Sequence, residues 1–438
     1  MRNRVLLLGL TVAAWLGLKI IDYFLPWPAL MFLLCLTVVI MVMHSIWLLV
    51  AQRRWRKRLL KQGQEPRGIE AESWEPWVDI FIAAKNESRV IENTVRNFFK
   101  VDYNQFYLWV IDDASDDAMP QILERLKGEF PRLRVVTRTA GSRPGKSAAL
   151  NEALPLAKGD VIAVFDADAY VAPDFFQLML PVLAPEGVGA VQAQKRIYLH
   201  QEGFLVECQS SEYALDTYFQ MGRDLIGGAV ELRGNGQLIK RSALIDVGGW
   251  NNRAITDDLD LTMRLLVNKW DVRFSPHAHV WEEGVTTWKS LIRQRRRWAE
   301  GSIRRYLDYI FPLNSPKRLS LVERLDILAF ISEFAIPALM LLEIISDAIS
   351  FATGGETHAR FLVLVALAVL AISLVNFFIA IRIYRPHLTI LEALNHTLEV
   401  NCYVYAHWVP CVLISFVQIM SGRQASKWHR TEHVGGIG

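Results

Sequence analysis

Four cysteines in 438 residues, Cys35, Cys208, Cys402 and Cys411, are too few and too scattered for a disulfide framework, and no C-x-x-C spacing offers a zinc site. An excess of one charge is missing as well. Lys+Arg 48 against Asp+Glu 45 leaves a net charge of +3, which argues against a nucleic-acid partner. Internal repeats and low-complexity tracts are also lacking, so a solenoid or a fibrous protein is excluded. What the chain has in quantity is apolar residues, 52% of the total, and that excludes disorder.

The apolar residues are gathered into runs. Two open the chain, about Val5 to Ile21 and about Ala29 to Val50, separated by a turn with Asp22, Pro26 and Pro28. Each approaches the ~20 residues that cross a bilayer. Arg2 and Arg4 stand before the first as in a signal peptide, but no A-x-A-like cleavage site follows. The pair therefore reads as a transmembrane hairpin over residues 1–51. Arg53, Arg54, Arg56, Lys57, Arg58 and Lys61 then place the N-terminus and the chain beyond residue 51 on the cytoplasmic side.

Residues 52–320 have the composition of a soluble α/β domain, and 321–438 return to the membrane. The runs Ile327–Ile345 and Phe361–Ile383 read as spans. Tyr403–Met420 is weaker, because it holds His407 and Pro410 and would leave Arg423, Lys427 and Arg430 on the far side. It reads as a third span or as a re-entrant or interfacial segment, and 386–400 as a separate helix on the membrane surface.

In the soluble part strand and helix alternate. Strands are expected at Val78–Ala84, Tyr107–Ile111, Arg134–Thr137 and Val161–Phe165, with helices at Val90–Phe99, Met119–Lys127 and Lys146–Ala157. Such βα units build a doubly wound, mostly parallel sheet, which binds ligands beyond the carboxyl ends of its strands. Those ends carry Lys85-Asn86-Glu87, Asp112-Asp113 and Asp166-Ala167-Asp168. By itself Asp-x-Asp is a solvated turn. After so apolar a strand, Asp166 and Asp168 read as a hard-cation pair for Mg²⁺ or Mn²⁺, completed by phosphate oxygens. Gly145-Lys146-Ser147 is not an NTPase loop, since Ala140 stands where that motif needs glycine, yet Lys146 at a helix start suits a phosphate.

Further along, Thr256-Asp257-Asp258 opens a helical pattern, either as capping acids or as a site for a base. Gln294-Arg295-Arg296-Arg297-Trp298, with Arg293, Arg304 and Arg305 nearby, is either a solvated or lipid-phosphate-facing helix or a cationic clamp. Gly234-Asn235-Gly236 reads as a loop.

Taken in order, Ala84-Lys85-Asn86-Glu87, Ile111-Asp112-Asp113-Ala114-Ser115, Gly145-Lys146-Ser147-Ala148-Ala149-Leu150-Asn151, Asp166-Ala167-Asp168, Thr256-Asp257-Asp258 and Gln294-x-x-Arg297-Trp298 resemble the membrane-integrated inverting glycosyltransferases of family 2. The resemblance covers about residues 75–310. It implies a GT-A domain, Rossmann-like and cytoplasmic, embedded in a multi-span α-helical protein of a bacterial inner or thylakoid-type membrane. It implies that Glu87 and Asp113 contact uracil and ribose beside Asp112. Lys146 would face the nucleotide, and Asp166 and Asp168 would meet the diphosphate and its cation. Asp258 would be the general base. Gln294, Arg297 and Trp298 would close over the diphosphate, with Asn235, Gly236, Asp257 and Trp298 on the acceptor side. The family's Thr-Glu-Asp is here Thr-Asp-Asp, which keeps the final carboxylate.

Glu282–Thr286, Arg297–Gly301 and Arg305–Tyr309 look most like the cyanobacterial-type monoglucosyldiacylglycerol synthases, with a departure at Ser302-Ile303-Arg304. That likeness implies transfer of glucose from UDP-glucose to 1,2-diacylglycerol. The same motifs serve synthases of cellulose, hyaluronan and poly-N-acetylglucosamine, so a growing glycan stays open as acceptor. A sugar-nucleotide sensor without catalysis is disfavoured, because the acidic set is complete.

Overall fold

The computed structural model describes residues 29–62, 74–139, 141–198, 203–313, 317–354 and 357–422, with isolated positions besides. The first apolar run and the basic residues after Gly422 lie almost wholly outside these. Helix α1, Ala29–Gln62, is the second apolar run and the basic cluster joined into one 34-residue rod.

Strands β1 (Val78–Ala84), β2 (Phe106–Asp112), β3 (Leu133–Thr137) and β4 (Val161–Phe165) are parallel neighbours, alternating with helices α2 (Ile91–Phe98), α3 (Met119–Glu129) and α4 (Lys146–Ala153). β1 and β4 are covered on both faces, which is why they read as unbroken apolar runs. The exception in β1 is Asp79, buried, whose carboxylate accepts from Trp109 Nε1 at 2.6 Å and from the amides of Lys158 and Gly159 at 3.0 and 2.6 Å.

The second half of the sheet is mixed. β5 (Tyr170–Val171), α5 (Phe175–Leu183), β6 (Val188–Ile197), α6 (Phe204–Ile226), β7 (Gln237–Lys240), α7 (Arg241–Asp246), α8 (Asp257–Val267) and β8 (Asp271–Glu282) complete it in the order β3-β2-β1-β4-β7-β6-β8-β5. β7 runs antiparallel to β4 and β6, and the β6–β8 register slips around Pro276, which cannot donate to the ladder.

Helix α9 (Trp288–Leu313) leads to α10 (Leu321–Ala352), α11 (Ala359–Tyr384) and α12 (Ile390–Met420). Capping boxes, Ser320 with Glu323 and Thr389 with Glu392, start α10 and α12. With α1, these three are long and apolar enough to cross a membrane. One expectation is corrected. The separate surface helix at 386–400 and the weak segment after it are one continuous helix, and α12 packs along α9, with Cys411 and Ser415 against the Ile292 and Arg296 carbonyls.

The domain and the membrane helices are tied through α6. Asp326 of α10 accepts from Arg223 Nε at 2.8 Å and from the Ala229 amide at 2.9 Å, while its other oxygen meets His44 Nε2 of α1 at 2.8 Å. Arg385, just after α11, reaches Glu207 and Ser211 of α6 at 2.7 and 3.1 Å.

Candidate functional site

The carboxyl ends of β1, β2, β4 and β8 and the starts of α4 and α8 surround one cavity of about 960 Å³. Of the residues singled out in the sequence, Glu87, Asp113, Lys146, Asp166, Asp168, Asp257, Asp258, Gln294, Arg297 and Trp298 line it together. Asp112, Asn235 and Gly236 do not. Asp112 is buried and accepts from the Ser115 amide at 3.0 Å, shaping its own turn. Asn235 sits behind the wall, accepting from the Asp166 amide at 3.2 Å and donating to Glu282 at 2.9 Å. Gly236 lies flat against Val280, where a Cβ would come within 2.4 Å.

On the β2 side, Asp113 is fixed by Arg138 and by the Gly145 amide at 3.2 Å, and Arg138 also holds Glu152 at 2.8 Å. Lys146 Nζ meets Asp166 Oδ1 at 2.5 Å and the Gly234 carbonyl at 2.8 Å. Burial works to lower its pKa, but Asp166, Asp257 and Asp258 outweigh that and raise it, so it is a fixed cation. Asp168 accepts from the Glu283 amide at 2.9 Å.

Asp258 stands in the first turn of α8, its Oδ1 accepting from the Leu259 amide at 2.9 Å. Burial and then the charge of Asp257 push its carboxyl up to about 6, against the pull of that amide, Lys146 and Arg233. Gly234, at φ 76°, lets the β7 loop pass at close range, since a Cβ there would sit 3.1 Å from Asp258 Oδ2.

Above this floor lies α9. Arg297 makes no hydrogen bond or ion pair within the described residues, and its guanidinium faces Asp258, Asp257 and Asp166; burial pulls its pKa down against those three charges. Trp298 lies under the Arg295 guanidinium at 4.0 Å. The arginine-rich run is not a uniformly solvated face: Arg295 is buried on Glu212 at 2.6 Å and Arg305 on Glu231 at 3.2 Å. Gly301 brings α9 onto the acidic turn, because a Cβ there would fall 2.5 Å from Thr256 Cγ2. Gly301→Ala is therefore expected to displace Asp258 and cut turnover by about ten- to a hundredfold with little change in melting temperature, checked by kinetics beside a thermal melt.

Sequence reasoning missed three cations here. Arg138, Arg233 and Lys195 carry no local motif. Lys195, at the end of β6, pairs with Glu282 at 2.9 Å and lies 5.9 Å from the Trp298 ring.

A family model described as "Glycosyltransferase like family 2" matches residues 76–301. The chain belongs to glycosyltransferase family 2. This family 2 enzyme is 37% identical over 375 residues to a beta-monoglucosyldiacylglycerol synthase of Trichormus variabilis, covering 82% of this chain and 77% of that one. A synthase of the same name from Synechocystis is 44% identical over 273 residues, 61% of this chain and 57% of its own. A poly-beta-1,6-N-acetyl-D-glucosamine synthase of Staphylococcus aureus is 28% identical over 246 residues, 56% of this chain and 59% of its own. Among solved structures, the mannosyltransferase PcManGT from Pyrobaculum calidifontis, in complex with GDP-Man and Mn2+, matches with a TM-score of 0.59 at 19% identity over 89% of this chain and 100% of that one. That likeness is one of fold, and the GT-A expectation holds.

Asp166 and Asp168 both line the cavity and carry oxygen donors of the kind a hard cation takes. Among the described residues the His and acidic trio whose ligand atoms converge within 4.8 Å is a different one, Glu343, Asp347 and His358. It joins the far end of α10 to the start of α11 and is remote from Asp258.

Proposed function

We propose that this glycosyltransferase moves glucose from UDP-glucose to the hydroxyl of a membrane lipid, 1,2-diacylglycerol, with inversion at the anomeric carbon. The observation that carries this reading is the extent of the cavity. The space that holds Asp258 continues between α1, α10, α11 and α12, so a lipid hydroxyl reaches the base without leaving the bilayer. The two synthases named above support the same acceptor.

Asp258 takes the hydroxyl proton as the oxygen attacks C1 from the face opposite UDP, giving a β-glucoside. A carboxyl held near 6 suits a base working at neutral pH. Lys146 and Arg297 meet the charge that grows on the departing diphosphate. Asp166 and Asp168 would hold a divalent cation, Mg²⁺ or Mn²⁺, which would supply Lewis-acid stabilisation of the leaving diphosphate. Glu87 and the clamped Asp113 hold the nucleoside, and Gln294, Arg297 and Trp298 close over the diphosphate and the acceptor. The catalytic domain works on the cytoplasmic side.

The test is an assay of detergent-purified protein with radiolabelled UDP-glucose, UDP-galactose or UDP-N-acetylglucosamine, with and without diacylglycerol. Label is expected in one chloroform-soluble product that requires diacylglycerol and UDP-glucose, is lost with EDTA and returns with Mg²⁺ or Mn²⁺. Label in high-mass material made without diacylglycerol overturns the reading in favour of a glycan synthase.

A further inference from the structure

The part of the cavity that leaves the GT-A domain changes character with depth. Near the catalytic residues its walls are polar: Glu333 of α10, Ser373 and Asn376 of α11, and Tyr405 and His407 of α12. Trp408 lines this part too, and its Nε1 and the His407 Nε2 are buried without a hydrogen-bond partner among the described residues. Farther out the lining is apolar, with Met41 of α1, Pro337, Met340 and Ile344 of α10, and Ala366 and Val369 of α11.

The apolar part is blind among the described residues. Met340 and Val369, which line this end of the cavity, pack with Leu339 on a small buried cluster of Leu34 of α1 and Leu362 and Val365 of α11. Both flanking helices continue past this floor, α10 to Ala352 and α11 back to Ala359. From Glu333 to Ile344 a helix rises about 16 Å, and from Asn376 to Ala366 about 15 Å. One leaflet of hydrocarbon is also about 15 Å deep, half the bilayer core. A glycan channel needs the whole thickness and a wall polar throughout; among the described residues this space is polar only in its upper half.

The side of the pocket is open in a matching way. α10 packs closely on α1 but only slightly on α11. Ile344 of α10 lines the cavity and is exposed, so the apolar end comes to the helix surface there.

We infer that the deep half of the cavity is a pocket for one acyl chain of the acceptor, entered sideways between α10 and α11, and that the floor at Met340, Ala366 and Val369 sets the chain length the enzyme accepts. The polar ring above it receives the glycerol backbone and its esters, while the hydroxyl points on to Asp258. This rests on the lipid-acceptor reading and assigns the part of the site that recognises the tail.

The experiment compares kcat/KM for dioleoyl- and dioctanoylglycerol in the same preparation, for the wild type, Ala366→Phe and Met340→Ala. A ratio within one preparation is indifferent to the folded fraction, so a poorly folding variant does not imitate the effect. Raising the floor with Ala366→Phe is expected to lower the long-to-short ratio by about tenfold, the loss of two or so buried methylenes. Lowering it with Met340→Ala is expected to raise the ratio. Ratios unchanged in both variants, while the wild type glycosylates diacylglycerol, overturn the pocket and leave the lipid acceptor standing. A wild type that labels no diacylglycerol of either length overturns the lipid reading, and the tail pocket with it.

Discussion

Replacing Asp258 with asparagine is expected to lower glycosyl transfer by about three orders of magnitude while UDP binding persists, read by single-turnover kinetics beside equilibrium titration of the nucleotide. The effect is large because an amide at this position cannot take the hydroxyl proton, and the nearby cations are held by other carboxylates: Lys146 on Asp166, Lys195 on Glu282, Arg233 on Asp216 and Glu231. The wild-type pH profile carries the same signature. Since the carboxyl is held up to about 6 and must be ionised to act, kcat/KM rises with pH through that value and levels above it. Stability moves the other way. The folded pKa lies above the ordinary 3.8, so the unfolded chain binds fewer protons between about pH 4 and 6, and stability falls across that window. At neutral pH the ionised Asp258 is destabilising, and the inactive Asp258→Asn protein should melt at a higher temperature than the wild type. A variant that is inactive but less stable would point to misfolding instead of a missing base.

The second large effect concerns Glu231. It is buried, accepts from Arg233 at 2.6 Å and lies within 3.2 Å of Arg305 and 3.7 Å of Arg223. Burial alone would raise its pKa, but Arg305, Arg223 and Arg233 together take it down to about 2. Glu231→Ala leaves guanidinium groups buried without their anion, a loss of about 3–5 kcal/mol. The expected result is a melting temperature lower by several degrees and poor accumulation in membranes, measured by fluorescence thermal melts in detergent. The sign with pH is opposite to that of Asp258. The stabilisation is present above about 4.5 and drains away as pH falls toward 2.

How much of this could be read from the sequence follows from where the polar groups sit. Val78–Ala84 and Val161–Phe165 were legible to the residue, since strands covered on both faces have no polar alternation to blur them. β6 was not read at all. Gln192 within it turns its amide to the Asn235 carbonyl at 2.8 Å and accepts from the Arg233 amide at 2.7 Å, so a core strand carries a polar residue that serves a loop. α6 was hidden for a related reason: it meets the domain on one side and membrane helices on the other, and its mixed composition has no single apolar stripe. The acidic motifs at 85–87, 112–113 and 166–168 could be placed on one sheet edge because each stands at the end of a strand, whereas Asp257 and Asp258 open a helix. The cations that complete the site, Arg138, Lys195 and Arg233, acquire their partners from distant segments, and periodicity says nothing about such pairs. Asn235 and Gly236 adjoin the site in sequence, yet they support it from behind.

The Asp326 carboxylate gathers α1, α6 and α10 on its two oxygens. One carboxylate thus couples the catalytic domain to two of the long apolar helices, and removing it would loosen three contacts at once.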